Sequence, residues 1–596
     1  MLIELYDKNH FVIGCDDRDL LEIMKERMDG KKLRRQNKII IPLKSGPKIY
    51  RFLEYGLDWG DRAKDLIDTL CLNIKKRKEN IKKIKSQYGG EIKFNYDCKG
   101  KYKPMDHQKV MFNMMMFSDA SGLLADPGTC KTGPYLWAVD ERIKRGQVKK
   151  TLIITLSDLK KNVLEEMKVQ VPHLKGVVLG EKSQAGKIIN KSYKIKKKNI
   201  DYDIYISNYE SMFSLVDIFD DDYFDMVIFD EAHRIGSPKS RQTKSIIKKV
   251  EFIKYKYIIT GTLHANNLMS FFMPFRALGP DTVPYANYYS FRKEYMYTVD
   301  PDGNIWVPRP GSKKVVQQIV GNLSVAFTKE ECLDLPPIVR KRISCGMGRN
   351  QEKLYKQMSK DLIAEIEGMC EKCDKNGSCD KSCEESLVAK NSLVLTQKLR
   401  QISCGFYINT RILIDENGKE TKDSNIITLD ENPKLSLLVQ TLSNMPTDKK
   451  VIIWTNYRYS VKLISDRLEK AFGENSYLTC YGSQDAFEQI KKFREGNSSY
   501  MIANPSKMGV GHNIQFSHYQ IFFSNSHSFV ERDQAESRQH RKGQKHSVTI
   551  TDLVVENTID ELIIKALMIK QDLSISLSEL ARVLKKGMSE ADKIIK

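Results

Sequence analysis

The sequence predicts an α/β protein built on two doubly wound parallel sheets, and two observations carry that prediction. From about residue 105, short apolar runs at 151–155, 204–207, 226–229 and 257–260 alternate with basic or amphipathic helical patterns. Near-continuous apolar strands of this kind suit a sheet covered by helices on both faces. The alternation then resumes with runs at 450–454, 500–503, 521–524 and 548–551, after a less regular stretch over about 265–430. The expected organisation has five parts: an N-terminal accessory α/β module over 1–100, a first sheet domain over 101–335 with a helical extension from about 265, a helical insertion over 336–430, a second sheet domain over 431–575, and a C-terminal helix over 576–596.

Taken in order, the N-terminal module reads as strands near 2–6 and 11–14, a helix over 17–28, a strand at 39–41 and a helix over 66–85. The tail of that last helix carries Lys75, Lys76, Arg77, Lys78, Lys82, Lys83 and Lys85. A phosphate-binding face and a solvated face both remain open for it. The Met-rich run over 111–117 reads as helix core. With 97 Lys and Arg against 76 acids, the net charge of +21 attracts polyanions, phosphate backbones first among them. No apolar run approaches the ~18–20 residues that cross a bilayer, and the first residues lack a signal-peptide pattern. No membrane partner is expected. The expected location is the cytoplasm, of a bacterium or an infected cell, with the nucleus left open.

The residues that carry chemistry begin at the end of the run 224–229, with Asp230, Glu231, Ala232 and His233. Adjacent carboxylates at a buried strand end suit a nucleotide-bound magnesium, which Asp230 would hold while Glu231 polarises the attacking water. About a hundred residues upstream, a strand runs into Ala125, Asp126, Pro127, Gly128, Thr129, Cys130, Lys131 and Thr132. Lys131 can reach the β and γ phosphates, and the Thr132 hydroxyl can coordinate magnesium. The backbone N–H groups of Gly128, Thr129, Cys130, Lys131 and Thr132 would cradle the phosphates at a helix start. A strict phosphate loop has Gly where Ala125 and Cys130 stand; Cys130 is read as a small-residue replacement. Together the two halves indicate a nucleoside triphosphatase using ATP and magnesium.

These and further stretches, in order, resemble the Swi/Snf-like ATPases of helicase superfamily 2 over about residues 105–570. Met105 to Gln108 looks like the adenine-reading motif, with Gln108 as the reader. Stretches 124–132, 153–162, 206–210 and 230–240 look like motif I, motif Ia, the next strand-end motif and motif II with its extension. Thr260, Gly261 and Thr262 resemble motif III, with Leu263 in place of the usual Pro and Asn266 fitting. Leu333 to Pro337 and Asn432 to Leu435 are stretches the family often shows between its motor domains. Residues 451–457 resemble motif IV, and 509–514, with Gly511 on the nucleotide, motif V. Residues 534–544 are close to a complete motif VI. Arg538 and Arg541 lie three apart, so on a helix they would share one face and could act as arginine fingers. The resemblance implies two RecA-like domains and a motor that tracks along duplex DNA.

Cys370, Cys373, Cys379 and Cys383 lie within fourteen residues and could supply a structural zinc site, or remain reduced thiols in a surface loop. The remaining cysteines are dispersed, and disulfides are not expected. The expected function is an ATP-dependent translocase on double-stranded DNA that remodels DNA or bound proteins, with protein partners unspecified. Two alternatives stay open: a strand-separating helicase acting on DNA or RNA single strands, and a nucleic-acid-binding scaffold with a decayed ATPase.

Overall fold

In the computed structural model the chain forms two compact units, Met1–Asp334 and Leu335–Lys596. The structure describes residues 1–568 except 8–9, 29, 34–36, 43–48, 50–57, 61–62, 89, 99–102, 180–200, 216–218, 221, 262–267, 280–281, 284, 286, 299–305, 361–384, 415–419, 447 and 510–512. The cysteine cluster, Thr262, Leu263, Asn266, Gly511 and the expected C-terminal helix lie outside the described residues.

The first unit is organised by a seven-stranded sheet. Its order is Ser324–Phe327, Ala120–Ala125, Tyr255–Thr260, Met226–Asp230, Thr151–Thr155, Ile204–Asn208 and Gly176–Val178, and every neighbouring pair is parallel. Both faces are buried, which is why these strands read as unbroken apolar runs rather than alternating ones. Along Met226–Asp230, Val227 and Phe229 enter one core while Met226 and Ile228 enter the other. Met111, Met114 and Met115, on the helix Asp106–Phe117, fill the second of these cores.

The first hundred residues carry their own five-stranded sheet within this unit. It is antiparallel except where Leu2–Asp7 pairs parallel with Asp58–Trp59. Its core closes over Phe11, Ile13, Met24, Ile39 and Ile67.

The second unit has a six-stranded, wholly parallel sheet. Its order is Ile338–Cys345, Val548–Val555, Tyr519–Phe522, Val451–Trp454, Tyr500–Ala503 and Tyr477–Cys480. The stretch 336–430, expected as a helical insertion, differs from that expectation. It contributes the edge strand Ile338–Cys345, the helix Glu385–Ser403 and the antiparallel hairpin of Phe406–Ile414 and Glu420–Thr428. An edge strand tolerates charge, and Arg340, Lys341 and Arg342 hide this one from a search for apolar runs.

Lys434 shows what holds the second unit together. It is fully buried, and its ammonium lies 2.6 Å from the Asp560 carboxylate. Burial works against its charge, but Asp560 more than offsets this and holds the Lys434 pKa above its ordinary value. The neighbouring Asn432 caps the helix Pro433–Ser443 by accepting from Leu435 N at 3.1 Å, and it donates to Cys404 O at 2.9 Å. Removing one member of a buried pair strands the other charge. Lys434→Met should therefore destabilise the second unit by about 3 kcal/mol in urea unfolding, and Lys434→Met with Asp560→Leu should recover most of that loss.

Candidate active site

Parallel pairing brings the C-terminal ends of the central strands to one edge of the first sheet. In register, Thr260 stands beside Leu124, Asp230 beside Ile259, and Thr155 beside Asn208. The loop from Asp126 to Lys131 leaves this edge and enters the helix Thr132–Lys144. It is held on several sides. Asp126 N donates to Phe327 O at 3.1 Å, and the Asp126 carboxylate accepts from Lys329 N at 3.1 Å. Thr129 Oγ1 donates to Asp126 O at 2.8 Å. His107 Nε2 donates to Thr129 O and Gln108 Nε2 to Cys130 O, both at 2.9 Å. Gly261 packs against the loop so closely that a Cβ would lie 2.6 Å from Pro127 Cδ and 2.8 Å from Ala125 O.

Among the described residues, the N–H groups of Gly128, Cys130, Lys131 and Thr132 make no hydrogen bond to protein. Lys131 Nζ donates to Ala125 O at 2.9 Å, folded back over the loop it belongs to. Free N–H groups at a helix start beside a lysine are the donor set a polyphosphate requires. The residues present therefore fit a nucleotide's phosphates.

Asp230 and Glu231 are both buried. Burial, with Glu231 next in weight, pushes the Asp230 carboxyl up to about 6, while Lys131 and a 3.0 Å hydrogen bond from Thr155 Oγ1 pull the other way. Tyr209 donates its hydroxyl to Asp230 O at 2.7 Å, fixing the strand end. The Glu231 carboxylate lies 3.4 Å from His233 Nδ1, and that nitrogen is 3.5 Å from Thr260 Oγ1. A carboxylate so desolvated, near a lysine, fits a divalent cation bridging to phosphate.

Backbone strain marks the same place. Among the described residues, four non-glycines have positive φ: Cys130 at 58°, Glu231 at 54°, Asn475 and Asn557. Asparagine enters this region readily, whereas Cys and Glu do so at a cost of roughly 1–3 kcal/mol. The two costly cases are the residue before Lys131 and the residue after Asp230. The departure from Gly at Cys130 thus falls at a position that uses the left-handed conformation, and Cys130 adopts it.

In the second unit, the arginines expected on one helix face lie elsewhere. The helix Phe529–Glu536 stops before them, and Arg538 and Arg541 occupy the turns that follow. Two glutamines fasten the chain that follows the helix to carbonyls of the stretch 515–519. Gln539 Nε2 donates to Tyr519 O at 3.0 Å, and Gln544 Nε2 to Gln515 O at 3.1 Å. Arg538 is buried, and its Nε donates to Gly509 O at 2.7 Å, tying this turn to the end of the helix Pro505–Met508. Arg541 is half-buried.

The helix before the turn is anchored by an ionic network whose Arg532 and Glu536 are buried and whose Arg340 reaches in from the surface. Arg340 grips Glu536 through two bonds of 2.8 and 2.6 Å, and Arg532 bonds Glu536 at 2.6 Å and Asp552 at 2.5 and 2.9 Å. Burial opposes the Glu536 charge, yet Arg532 and Arg340 hold that carboxyl down at about 2.

Gln108, expected to read adenine, has both amide ends engaged here, donating to Cys130 O and accepting from Met105 N at 2.9 Å. Thr155, His107 and the Arg340–Glu536–Arg532–Asp552 network were not picked out from the sequence. A hydroxyl at the end of the strand next to Asp230 was the available signal for Thr155; in the network, Arg532 and Glu536 stand four apart on one helix, whereas Arg340 and Glu536 are 196 positions apart and left no signal.

Because the folded Asp230 carboxyl binds its proton more tightly than an unfolded one, its contribution lowers stability as pH rises from about 4 through about 6. Asp230→Asn should accordingly stabilise the metal-free protein by about 1–3 kcal/mol at pH 7.5 and by little at pH 4, read by thermal unfolding at both pH values, while abolishing ATP hydrolysis. Cys130→Gly exchanges left-handed strain for chain entropy, so stability should shift by no more than about 1 kcal/mol. Any ATPase rate should be retained or raised, as a steady-state assay beside the unaltered protein would record.

The SNF2-related domain family matches residues 65–407. Human DNA repair and recombination protein RAD54B is 23% identical over 461 residues, covering 72% of this chain and 48% of that protein. The putative ATP-dependent helicase/translocase YwqA of Bacillus subtilis is 22% identical over 543 residues, covering 87% of this chain and 54% of that protein. The chain spans about half the length of the curated relatives it matches. Among solved structures, the Sulfolobus solfataricus SWI2/SNF2 ATPase core in complex with dsDNA aligns with 84% of this chain and 98% of its own, at 20% identity and a TM-score of 0.36. With a family match across more than half its length, this chain belongs to the SNF2-related domain family.

Proposed function

We propose that this chain is an ATP-dependent translocase on double-stranded DNA. One observation carries the reading: the loop with free N–H groups and the buried Asp230 share a sheet edge, close enough that Lys131 lowers the Asp230 pKa. The family, the relatives named as a DNA repair and recombination protein and as a helicase/translocase, and the net charge of +21 support it.

ATP with magnesium supplies the scissile phosphoanhydride and a cation that neutralises the developing charge. Lys131 would exchange its bond to Ala125 O for the β and γ phosphates, and the N–H groups of Gly128 to Thr132 would hold them in place. Thr132 and Asp230 would hold the cation. Thr155 orients the Asp230 carboxylate, and Glu231 would receive the proton of the attacking water. Arg538 and Arg541 would stabilise charge on the transferring phosphoryl group.

The test is the steady-state ATPase rate with duplex DNA, single-stranded DNA, RNA or no polymer. Duplex should stimulate most strongly, and Lys131→Ala should lower the stimulated rate at least a hundredfold, on the order expected for a phosphate-positioning charge. Preference for single strands or RNA would favour the strand-separating alternative. Absence of ATPase activity with every polymer would sink the enzyme reading.

A further inference from the structure

The helix Ala63–Lys85 belongs to two cores at once. Its first half packs Ala63 and Ile67 into the N-terminal module. Its second half packs Ile81 and Ile84 beside Met111, Met115 and Phe327, in the core under the nucleotide loop. The far end is fastened further. Lys85 Nζ donates to Gly321 O, Asn113 Nδ2 donates to Gln87 Oε1 at 3.2 Å, and Tyr88 donates to Glu331 O at 2.9 Å. Tyr88 also meets the Phe327 ring edge-on at 4.9 Å. A continuous helix gripped at both ends is a fixed strut within the first unit.

The strut turns a row of lysines to solvent. Lys75, Lys76, Lys78, Lys82 and Lys83 are all exposed, and among the described residues none of them makes an ion pair. Several other helices of the unit pair their basic residues along the helix, although Arg241, Lys244 and Lys248 on the helix Arg241–Lys249 are likewise exposed without an ion pair among the described residues. Lys25 pairs with Glu22, Lys109 with Asp106, Lys144 with Asp140, Arg145 with Glu141 and Lys168 with Glu165, each at i,i+3 or i,i+4. On this face the sole acid between 75 and 83 is Glu79. At 100° per residue, Lys75, Lys78 and Lys82 fall within about 60° of one another, and from Lys75 to Lys83 the helix rises about 12 Å. One DNA strand advances about 3.4 Å per phosphate along the duplex axis, so the face spans three to four phosphates.

We propose that this lysine face docks on the phosphate backbone of duplex DNA, adding a second, sequence-independent foothold to the motor. The inference rests on the duplex-translocase reading. The N-terminal module gains a role from it, because a module that shares the strut sets where the foothold lies relative to the nucleotide site. Because each lysine is exposed and unpaired, its removal costs the fold little.

The triple variant Lys75→Gln, Lys78→Gln and Lys82→Gln tests the proposal, beside the unaltered protein and Lys131→Ala. Affinity for a fluorescent 30-base-pair duplex is measured by anisotropy from low to high salt, with ATPase rates at saturating duplex and thermal unfolding as controls. Each phosphate contact contributes about 0.9 to the slope of log affinity against log salt. The triple variant should bind duplex about tenfold or more weakly and lose about 2–3 from the slope, with unchanged unfolding temperature and unchanged rate at saturating duplex. Lys131→Ala should lose the rate and keep the slope. A triple variant with unaltered affinity and slope would overturn the foothold and leave the translocase reading standing. Failure of the unaltered protein to bind duplex, or binding of single strands alone, would instead remove that reading and the foothold with it.

Discussion

A carboxylate taken out of water at the end of a parallel strand sets the terms for the first unit. Asp230 ends a strand whose neighbours on both sides are also buried, so little solvent reaches its oxygens. Burial, and Glu231 beside it, raise its pKa to about 6, a cost that the surrounding core has to carry. That net rise already includes what the structure sets against it, a hydroxyl from Thr155 and the field of Lys131. The parallel sheet makes this possible, because it delivers the phosphate loop, Asp230 and Thr260 to one edge. A cation at that edge would cancel the remaining cost, so nucleotide binding and stability draw on the same desolvated charge.

The second unit treats buried charge in the opposite way. Glu536 and Asp552 are answered by Arg340 and Arg532 through bidentate bonds, and Arg532 also stacks 3.5 Å over the Phe522 ring. A carboxyl held at about 2 does not titrate near neutrality, so the network is a fixed anchor and not a switch. Its position matters. The network fastens the helix Phe529–Glu536 to two strands of the sheet, and the Arg538–Arg541 turn leaves from the end of that helix. The stretches at 336–337 and 432–435 serve the same unit. Pro336 and Pro337 offer carbonyls to His540 and Val548, and Lys434 pairs with Asp560.

Much of this was legible because buried parallel strands are written as apolar runs with few gaps. Residues 151–155 and 500–503 read from the sequence match the observed strands end for end. Strands that are short or carry charge escaped. Gly176–Val178 has three residues, and Ile338–Cys345 carries three consecutive basic side chains on an edge. The loop and the acidic pair were readable from residue type and order alone. The placement of Arg538 and Arg541 was not, because a spacing of three suits a helix, while the turns they occupy are held by long-range bonds such as those of Gln539 and Gln544 to the carbonyls of Tyr519 and Gln515.

Cys130 bears on whether the loop works or has decayed. A loop no longer used to hold phosphate would be expected to relax the residue that strains it, since any φ below zero costs Cys less. Cys130 instead holds φ at 58°, its carbonyl taken by Gln108 and the preceding carbonyl by His107. Gly261 keeps the space beneath the loop clear for Ala125 and Pro127, where a Cβ would collide. Two separate elements, the helix Asp106–Phe117 and the chain at Gly261, therefore hold this loop in a conformation it would otherwise leave. What that conformation yields is a set of N–H groups with no protein acceptor, left to water or to an anion. Strain and unmet donors at the same residues argue for a loop shaped to bind phosphate, and against a scaffold that has lost its nucleotide.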